Sequence, residues 1–225
     1  MKNIGDSSWK DSLTVQNLEL KVRCLGAATL QQVEALACSA GAAYVRTVQQ
    51  RDTYFLAPHT CLKLREWWRE DDAAALTGVA EAAVNQAAER PNRGQEVAEG
   101  SRERGREGAF LISSRRQERA GAYTCEYLVY PVSEPAVLRA LLSAALGVLA
   151  VVEKRRRFYR YGHTRIHLDE VKDLGSFVEL ETVIDEEITP GEASAEHSAL
   201  ISLLELDRLP VVPYSYSDLL SGHCD

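Results

Sequence analysis

The stretch from Phe158 to Ile184, FYRYGHTRIHLDEVKDLGSFVELETVI, constrains the fold more than any other part of the chain. It reads as two arms joined by a turn, and on both arms apolar and charged residues alternate. Ile166 and Leu168 face one way while Arg165, His167 and Asp169 face the other; Val178 and Leu180 then oppose Phe177, Glu179 and Glu181. A period of two belongs to β-strands, whose successive side chains leave opposite faces of the pleat. Such a hairpin puts its charged face either into bulk water or into the interior of a closed sheet. The second arrangement would collect acids and bases inside a protein.

The same alternation recurs along the chain. In Leu13–Cys24, Leu18, Leu20 and Val22 oppose Asn17, Glu19, Lys21 and Arg23, which predicts a first strand. TLQQVEALACSAG predicts a short helix with a capping box from Thr29 and Gln32, an apolar stripe of Leu30, Val33 and Leu36, and a stop at Gly41. Ala42–Pro58 and Thr60–Trp68 read as paired strands, with Lys63 and Arg65 on one face of the second. AFLISSRR and AGAYTCEYLVYPV are also strand-like. SEPAVLRALLSAALG has Pro135 in the first turn of a helix, Leu138, Leu141, Leu142, Ala145 and Leu146 at helical spacing, and Gly147 at its end. A last helix follows Pro190, with His197, Leu200, Leu203 and Leu204 along one side.

Composition shifts after Trp68. Arg69–Gly108 has an Ala-rich middle and then a Glu/Arg/Gly run with little to bury, so it reads as an insertion at about 69–108, disordered beyond Arg90. The expected organisation is one domain over 13–225 interrupted there, with 1–12 as an N-terminal tail. Antiparallel hairpins interrupted by a few amphipathic helices predict an α+β fold, one sheet closed into a β-barrel with helices packed outside. Helices outside need an apolar outer face. The charged face is then left for the lumen.

A net charge of −7, from 26 Lys+Arg against 33 Asp+Glu, argues against a surface made for nucleic acid. The KRRR run Lys154–Arg157 sits between an apolar segment and the pair Phe158 and Tyr159, which disfavours a nuclear-localisation reading. Cys24, Cys38, Cys61, Cys125 and Cys224 are odd in number, scattered and without C-x-x-C spacing, so free thiols in a reducing cytoplasm are expected and zinc is not. No signal peptide or apolar run of membrane-spanning length is evident. The expected setting is cytoplasmic, with no membrane partner.

The polar strand residues form one constellation: acids Glu19, Asp169, Glu179 and Glu181, and bases Lys21, Arg23, Lys63, Arg65, Arg116, Lys154, Arg156 and Arg165. A triphosphate needs its charge held by Arg and Lys while a hard divalent cation bridges its oxygens. Carboxylates suit Mg²⁺ or Mn²⁺. Glu179 and Glu181 share a strand face about 6 to 7 Å apart, as do Lys154 and Arg156, a spacing at which two carboxylates can share one hydrated metal. Spacing alone leaves a solvated face open as the alternative. His167, between Ile166 and Leu168, reads as a structural hydrogen-bonding residue rather than a general base, and Trp67 and Trp68 as packing residues.

The segments NLELKV, QRDTYF, CLKLR, FLISSRR, VVEKRRRFY, RIHLDEV, LGSFVELE and YSDLL strongly resemble, in wording and order, the CYTH family of triphosphate tunnel enzymes. IHLDEVKDLGSFVELE is most similar to its class IV adenylyl cyclase-like branch. The resemblance covers about Val15–Leu220 apart from the insertion, and implies an antiparallel β-barrel whose lumen carries the charges. Carried over by position, the family's E-x-E-x-K motif falls on Asn17, Glu19 and Lys21, so its first acid is replaced. The later acids fall on Asp169, Glu179 and Glu181, and the phosphate-binding bases on Lys63, Arg65, Arg116, Lys154 and Arg156. The implied activity is metal-dependent, with Mg²⁺ or Mn²⁺ held by Glu19, Asp169, Glu179 and Glu181 and with Lys21 catalytic. The substrate would be ATP, thiamine triphosphate or inorganic triphosphate, either cyclised to cyclic AMP and pyrophosphate or hydrolysed. Asn17 opens the alternative of a weakened nucleotide- or polyphosphate-binding protein. A homodimer stays open as the assembly.

Overall fold

The computed structural model describes residues 14–70, 107–119 and 122–222, with the side chains of 14–16, 115–119 and 122–127 outside the description. The expected tail, most of the expected insertion and the side chain of Arg116 lie outside the described residues.

Among the described residues, eight strands and four α-helices follow in the order β1 (Thr14–Cys24), α1 (Ala27–Ser39), β2 (Ala43–Phe55), β3 (Cys61–Arg69), β4 (Glu107–Arg119), β5 (Ala122–Pro131), α2 (Pro135–Leu146), β6 (Val148–Tyr161), β7 (Thr164–Val171), β8 (Gly175–Ile184), α3 (Pro190–Leu203) and α4 (Tyr216–Ser221). Neighbouring strands pair in the order β1-β5-β4-β3-β2-β6-β7-β8, all antiparallel, and β8 pairs back with β1, so the sheet closes. The closure is uneven. β1 meets β8 from Gln16↔Ile184 to Cys24↔Ser176, but meets β5 only at Thr14, Val15 and Gln16. Past Gln16 the open edge of β1 is met by the C-terminal segment: the Arg23 amide donates to the Pro210 carbonyl (2.9 Å) and the Val212 amide to the Lys21 carbonyl (2.8 Å).

The outer face is the apolar one. Val22, Ile166, Leu168, Val178 and Leu180, each fully buried, form one cluster with Leu30, Val33 and Ala37 of α1 and Leu200 of α3. Burying a residue of this size contributes about 1.5–3 kcal/mol, so α1 and α3 hold the outward side chains of β1, β7 and β8 far more strongly than solvent would. On the opposite wall Leu64 of β3 lies beneath Leu138, Leu142 and Leu146 of α2. The inward side chains are thereby fixed in register, since a slip of one residue would exchange the two faces.

Local sequence explains the helix ends, with one correction. Thr189 and Glu192 close a capping box with Pro190 in the first turn of α3. α1 begins earlier than expected, at Ala27 after Gly26, with no side-chain cap; Thr29 lies inside the helix, so the expected Thr29–Gln32 box is absent. On α3 the buried stripe is Ala193, His197 and Leu200, at steps of four and three residues, while Leu203 is half exposed. The strands flanking the expected insertion also reach further into it than expected. Trp68 pairs with Glu107 and Trp67 with Gly108. A Cβ on Gly108 would come within 2.9 Å of the Trp67 indole, so the missing side chain is what admits the ring. No helix among the described residues is long and apolar enough to cross a membrane.

Candidate active site

Alternation turns the odd-numbered residues of β1, β7 and β8 and the even-numbered residues of β2 and β6 inward, where they surround a cavity of about 930 Å³. Lys21, Lys63, Arg65, Lys154 and Arg156 lie on its wall, as do Glu19, Glu179 and Glu181. The two charge types come from different strands and meet at Glu179, which Lys21 and Arg156 both reach. Lys63 and Arg65 from β3 and Lys154 and Arg156 from β6 flank β2, whereas the three glutamates face each other across the β1–β8 seam, where Glu19 pairs with Glu181 and Lys21 with Glu179.

On the basic side each guanidinium is held by a carboxylate. Arg65 donates from Nε and Nη2 to the two oxygens of Asp52 (2.9 and 3.0 Å), and Gln50 Nε2 donates to Asp52 Oδ2 (3.0 Å). Asp52 is 1% exposed; burial alone would raise its carboxyl, but the Arg65, Lys63 and Lys154 charges outweigh that and hold it well below the usual range. Arg156 grips Asp169 through Nε (2.6 Å) and Nη2, and its Nη2 also reaches Glu179. Lys154 Nζ lies 3.5 Å from Asp169. Burial, then the repulsion of Arg156, lowers the Lys154 ammonium to about 8, and burial with Arg65 lowers Lys63 as well.

Asp169 is fully buried and is not on the cavity wall. It accepts from Arg156 and from the Tyr216 hydroxyl (2.9 Å), and the Arg156 Nη2 that holds it also reaches Glu179. The acidic group that does converge is His167, Glu179 and Glu181, one ligand atom from each lying within 4.8 Å of the others. Burial would raise Glu179, yet Lys21 and Arg156 hold it well below the usual carboxylate range; Glu181 is likewise lowered by His167 and Arg165 against the burial penalty. Both are anions at neutral pH. Glu19 is the most exposed of the three, and Asn17, its neighbour on the same face, is 4% exposed with an Oδ1 that has no hydrogen-bond partner among the described residues.

Lys21 joins the acidic seam to the C-terminal segment. Its Nζ donates to the Tyr214 carbonyl (2.9 Å), sits 3.2 Å from Glu179 and lies 4.2 Å above the Tyr216 ring. Tyr216 itself enters the barrel and packs on Tyr54, Val152, Val171 and Phe177. Three inward residues that bear on the site, Asp52, Tyr54 and Tyr216, were not part of the sequence constellation. The first two were findable, since stepping by two from Gln50 through QRDTY gives Gln50, Asp52 and Tyr54. Tyr216 carries no strand period and reaches the lumen only through the path of the C-terminal segment.

With this geometry established, comparison with known proteins is informative. The CYTH domain profile matches residues 16–216. Among solved structures, the PH1012 protein from Pyrococcus horikoshii is 18% identical with a TM-score of 0.61, covering 90% of this chain and 98% of its own. A conserved hypothetical protein from Pyrococcus furiosus is 16% identical at 0.62, covering 90% and 99%. A protein of Vibrio parahaemolyticus assigned provisionally as an adenylate cyclase is 15% identical at 0.56, covering 92% and 98%. At these identities the likeness is one of fold. No protein with a curated description matches the chain.

Proposed function

The chain belongs to the CYTH family, and from that premise we propose that it is a divalent-metal-dependent enzyme that acts on a triphosphate inside its barrel. The observation that carries this reading is the gathering of Lys63, Arg65, Lys154 and Arg156 with Glu19, Glu179 and Glu181 around one cavity, the two sets meeting where Arg156 reaches Glu179. A linear triphosphate carries several negative charges over a few ångströms, and a cavity lined with cations held by buried carboxylates offers it charge-assisted hydrogen bonds of about 1.5–3 kcal/mol each. In this reading the four bases clamp the phosphates, with Arg116 a fifth. Asp52 and Asp169 act as positioning residues that hold the guanidinium planes of Arg65 and Arg156.

The donor set fits a metal as well as a phosphate chain. Glu179 and Glu181 are ionised oxygen donors on one side of the cavity, with Glu19 beside them, and oxygen donors of this kind suit Mg²⁺ or Mn²⁺. A bound divalent ion would supply charge neutralisation on the phosphate oxygens. In this reading Lys21, held between Glu179 and the Tyr214 carbonyl, orients a phosphate oxygen or carries a proton. Attack by water gives hydrolysis, and attack by the ribose hydroxyl of ATP gives cyclic AMP and pyrophosphate. The fold shared with the Vibrio protein, and the sequence likeness to the cyclase branch, favour the second. A reducing cytoplasm is the proposed setting, supported by the free thiols of Cys24, Cys38 and Cys61.

A second reading, a binder that turns nothing over, is favoured by Asn17. Where the family motif has its first acid, this chain buries a neutral amide. The deciding experiment incubates the protein with ATP, thiamine triphosphate and tripolyphosphate, with Mg²⁺ or Mn²⁺, and resolves products by chromatography, in wild type, Glu179→Gln and Asn17→Glu. Metal-dependent product lost in Glu179→Gln supports the enzyme. An inert wild type that gains turnover in Asn17→Glu favours the binder.

A further inference from the structure

The cavity holds a group that neither the phosphate clamp nor the carboxylate pair uses. His167 is 2% exposed, and neither of its ring nitrogens has a hydrogen-bond partner among the described residues. Leaving a buried polar group unpaired is costly, and a native site does so where a partner is to be supplied from outside the chain. The ring packs edge-on against Phe158, with centroids 4.8 Å apart and planes at 72°. Nδ1 lies 3.7 Å from Glu179 Oε2 and 3.7 Å from Glu181 Oε1.

These separations are too long for hydrogen bonds and close to those of atoms that share a metal. Bonds of about 2.0–2.2 Å place neighbouring ligand atoms about 3.0–3.5 Å apart. His167 therefore needs to close by only a few tenths of an ångström on each acid, while the three ligand atoms together span up to 4.8 Å, so the two glutamates must draw in further. Register makes the triad: His167 pairs with Glu179 across β7–β8, and Glu181 is the next inward residue on β8.

We infer that His167 is a direct nitrogen ligand, so that the lumen site is a mixed site of one imidazole and two carboxylates that prefers Mn²⁺ and other first-row transition ions over Mg²⁺. This rests on the triphosphate-site reading above and sharpens it. Imidazole is a good ligand for transition ions, whereas Mg²⁺ holds to oxygen and water. The residue that appeared structural from its place between Ile166 and Leu168 thus sets metal choice.

The test uses the whole chain and Mn²⁺ alone, without nucleotide. Pulsed electron paramagnetic resonance of wild type with Mn²⁺ should show coupling to a directly bound ¹⁴N, lost in His167→Gln. Calorimetry should show Mn²⁺ affinity falling by about tenfold or more in His167→Gln, the loss that even an outer partner of a ligand causes, with Mg²⁺ affinity changing less. Mn²⁺ that binds wild type, is lost in Glu179→Gln and shows no ¹⁴N coupling overturns the nitrogen ligand while leaving the carboxylate site intact. Absence of Mn²⁺ binding also overturns it, and a parallel metal-free titration with tripolyphosphate then shows whether the phosphate clamp has failed too. Should His167→Gln not fold, the wild-type spectrum decides alone.

Discussion

Arg156 and Arg157 are adjacent on β6 and leave opposite faces of the barrel, so the pair separates lumen chemistry from outer packing. Arg156 is 4% exposed, and its Nε and Nη2 are taken by Asp169 and Glu179; its Nη1 makes no hydrogen bond among the described residues. One charge-assisted contact to phosphate through that group is worth about 1.5–3 kcal/mol, or about a 10- to 150-fold change in affinity. Arg157, on the outside, pairs with Glu34 of α1 and lies 3.6 Å from Glu170. It is a half-buried strap from the barrel to α1 rather than the exposed side chain that its place in KRRR suggests.

Calorimetric titration with a non-hydrolysable triphosphate should therefore show Arg156→Ala weakened by that factor and Arg157→Ala unchanged. Stability divides the same way. Arg156→Ala strips the fully buried Asp169 of its main partner, a change that costs about 3–5 kcal/mol. Arg157→Ala should cost about 1 kcal/mol, discounted for its partial exposure. Arg156→Lys keeps the charge but not the two-pronged grip on Asp169, and should fall between wild type and alanine in affinity. Equal loss of triphosphate affinity in Arg156→Ala and Arg157→Ala, with both folded, would refute the assignment of faces and with it the charged lumen.

Three further outcomes follow from other parts of the structure. Because Trp68 pairs directly with Glu107, replacing residues 71–106 by a short Gly/Ser linker should leave the melting temperature and triphosphate affinity near wild type, and loss of binding in a folded variant would put that segment in the site. Burial raises the Cys24 thiol to about 11, so at pH 8 iodoacetamide should label the exposed Cys38 and Cys61 while Cys24 reacts only on unfolding, as peptide mass mapping would show. Lys154 has a folded value of about 8, below its unfolded value, so the fold resists its protonation. The stability of wild type relative to Lys154→Met should be lowest below pH 8 and rise by about 1.4 kcal/mol per pH unit from there toward pH 10; a flat difference in denaturant midpoints would contradict the burial of a charged lysine.

What the sequence revealed follows from which signals are periodic. Strand alternation made both faces of β1, β7 and β8 readable, and these carry Glu19, Lys21, Glu179 and Glu181 into the cavity. Leu138, Leu142 and Leu146 likewise announced the packing face of α2, whereas Leu141, expected in the same stripe, is exposed. Asp52 was legible by the same step of two, but its binding to Arg65 depends on the β2–β3 register, which no single strand encodes. The contacts of Asp169 were also hidden. It shares the lumen parity with Glu179 and Glu181, but its partners Arg156, Lys154 and Tyr216 come from other segments. The start of α1 was misplaced because Thr29 and Gln32 have capping spacing, whereas the chain turns into the helix at Gly26, whose φ of 147° lies in the range that favours glycine.

The most direct test of a triphosphate site in the lumen is a crystal structure of the chain with a non-hydrolysable triphosphate and Mn²⁺, with the metal located by its anomalous scattering. Phosphate density between Lys63, Arg65, Lys154 and Arg156, with the anomalous peak at Glu179 and Glu181, is the predicted result. A ligand seated outside the barrel, or a lumen that stays free of both phosphate and metal at saturating concentrations, would contradict it.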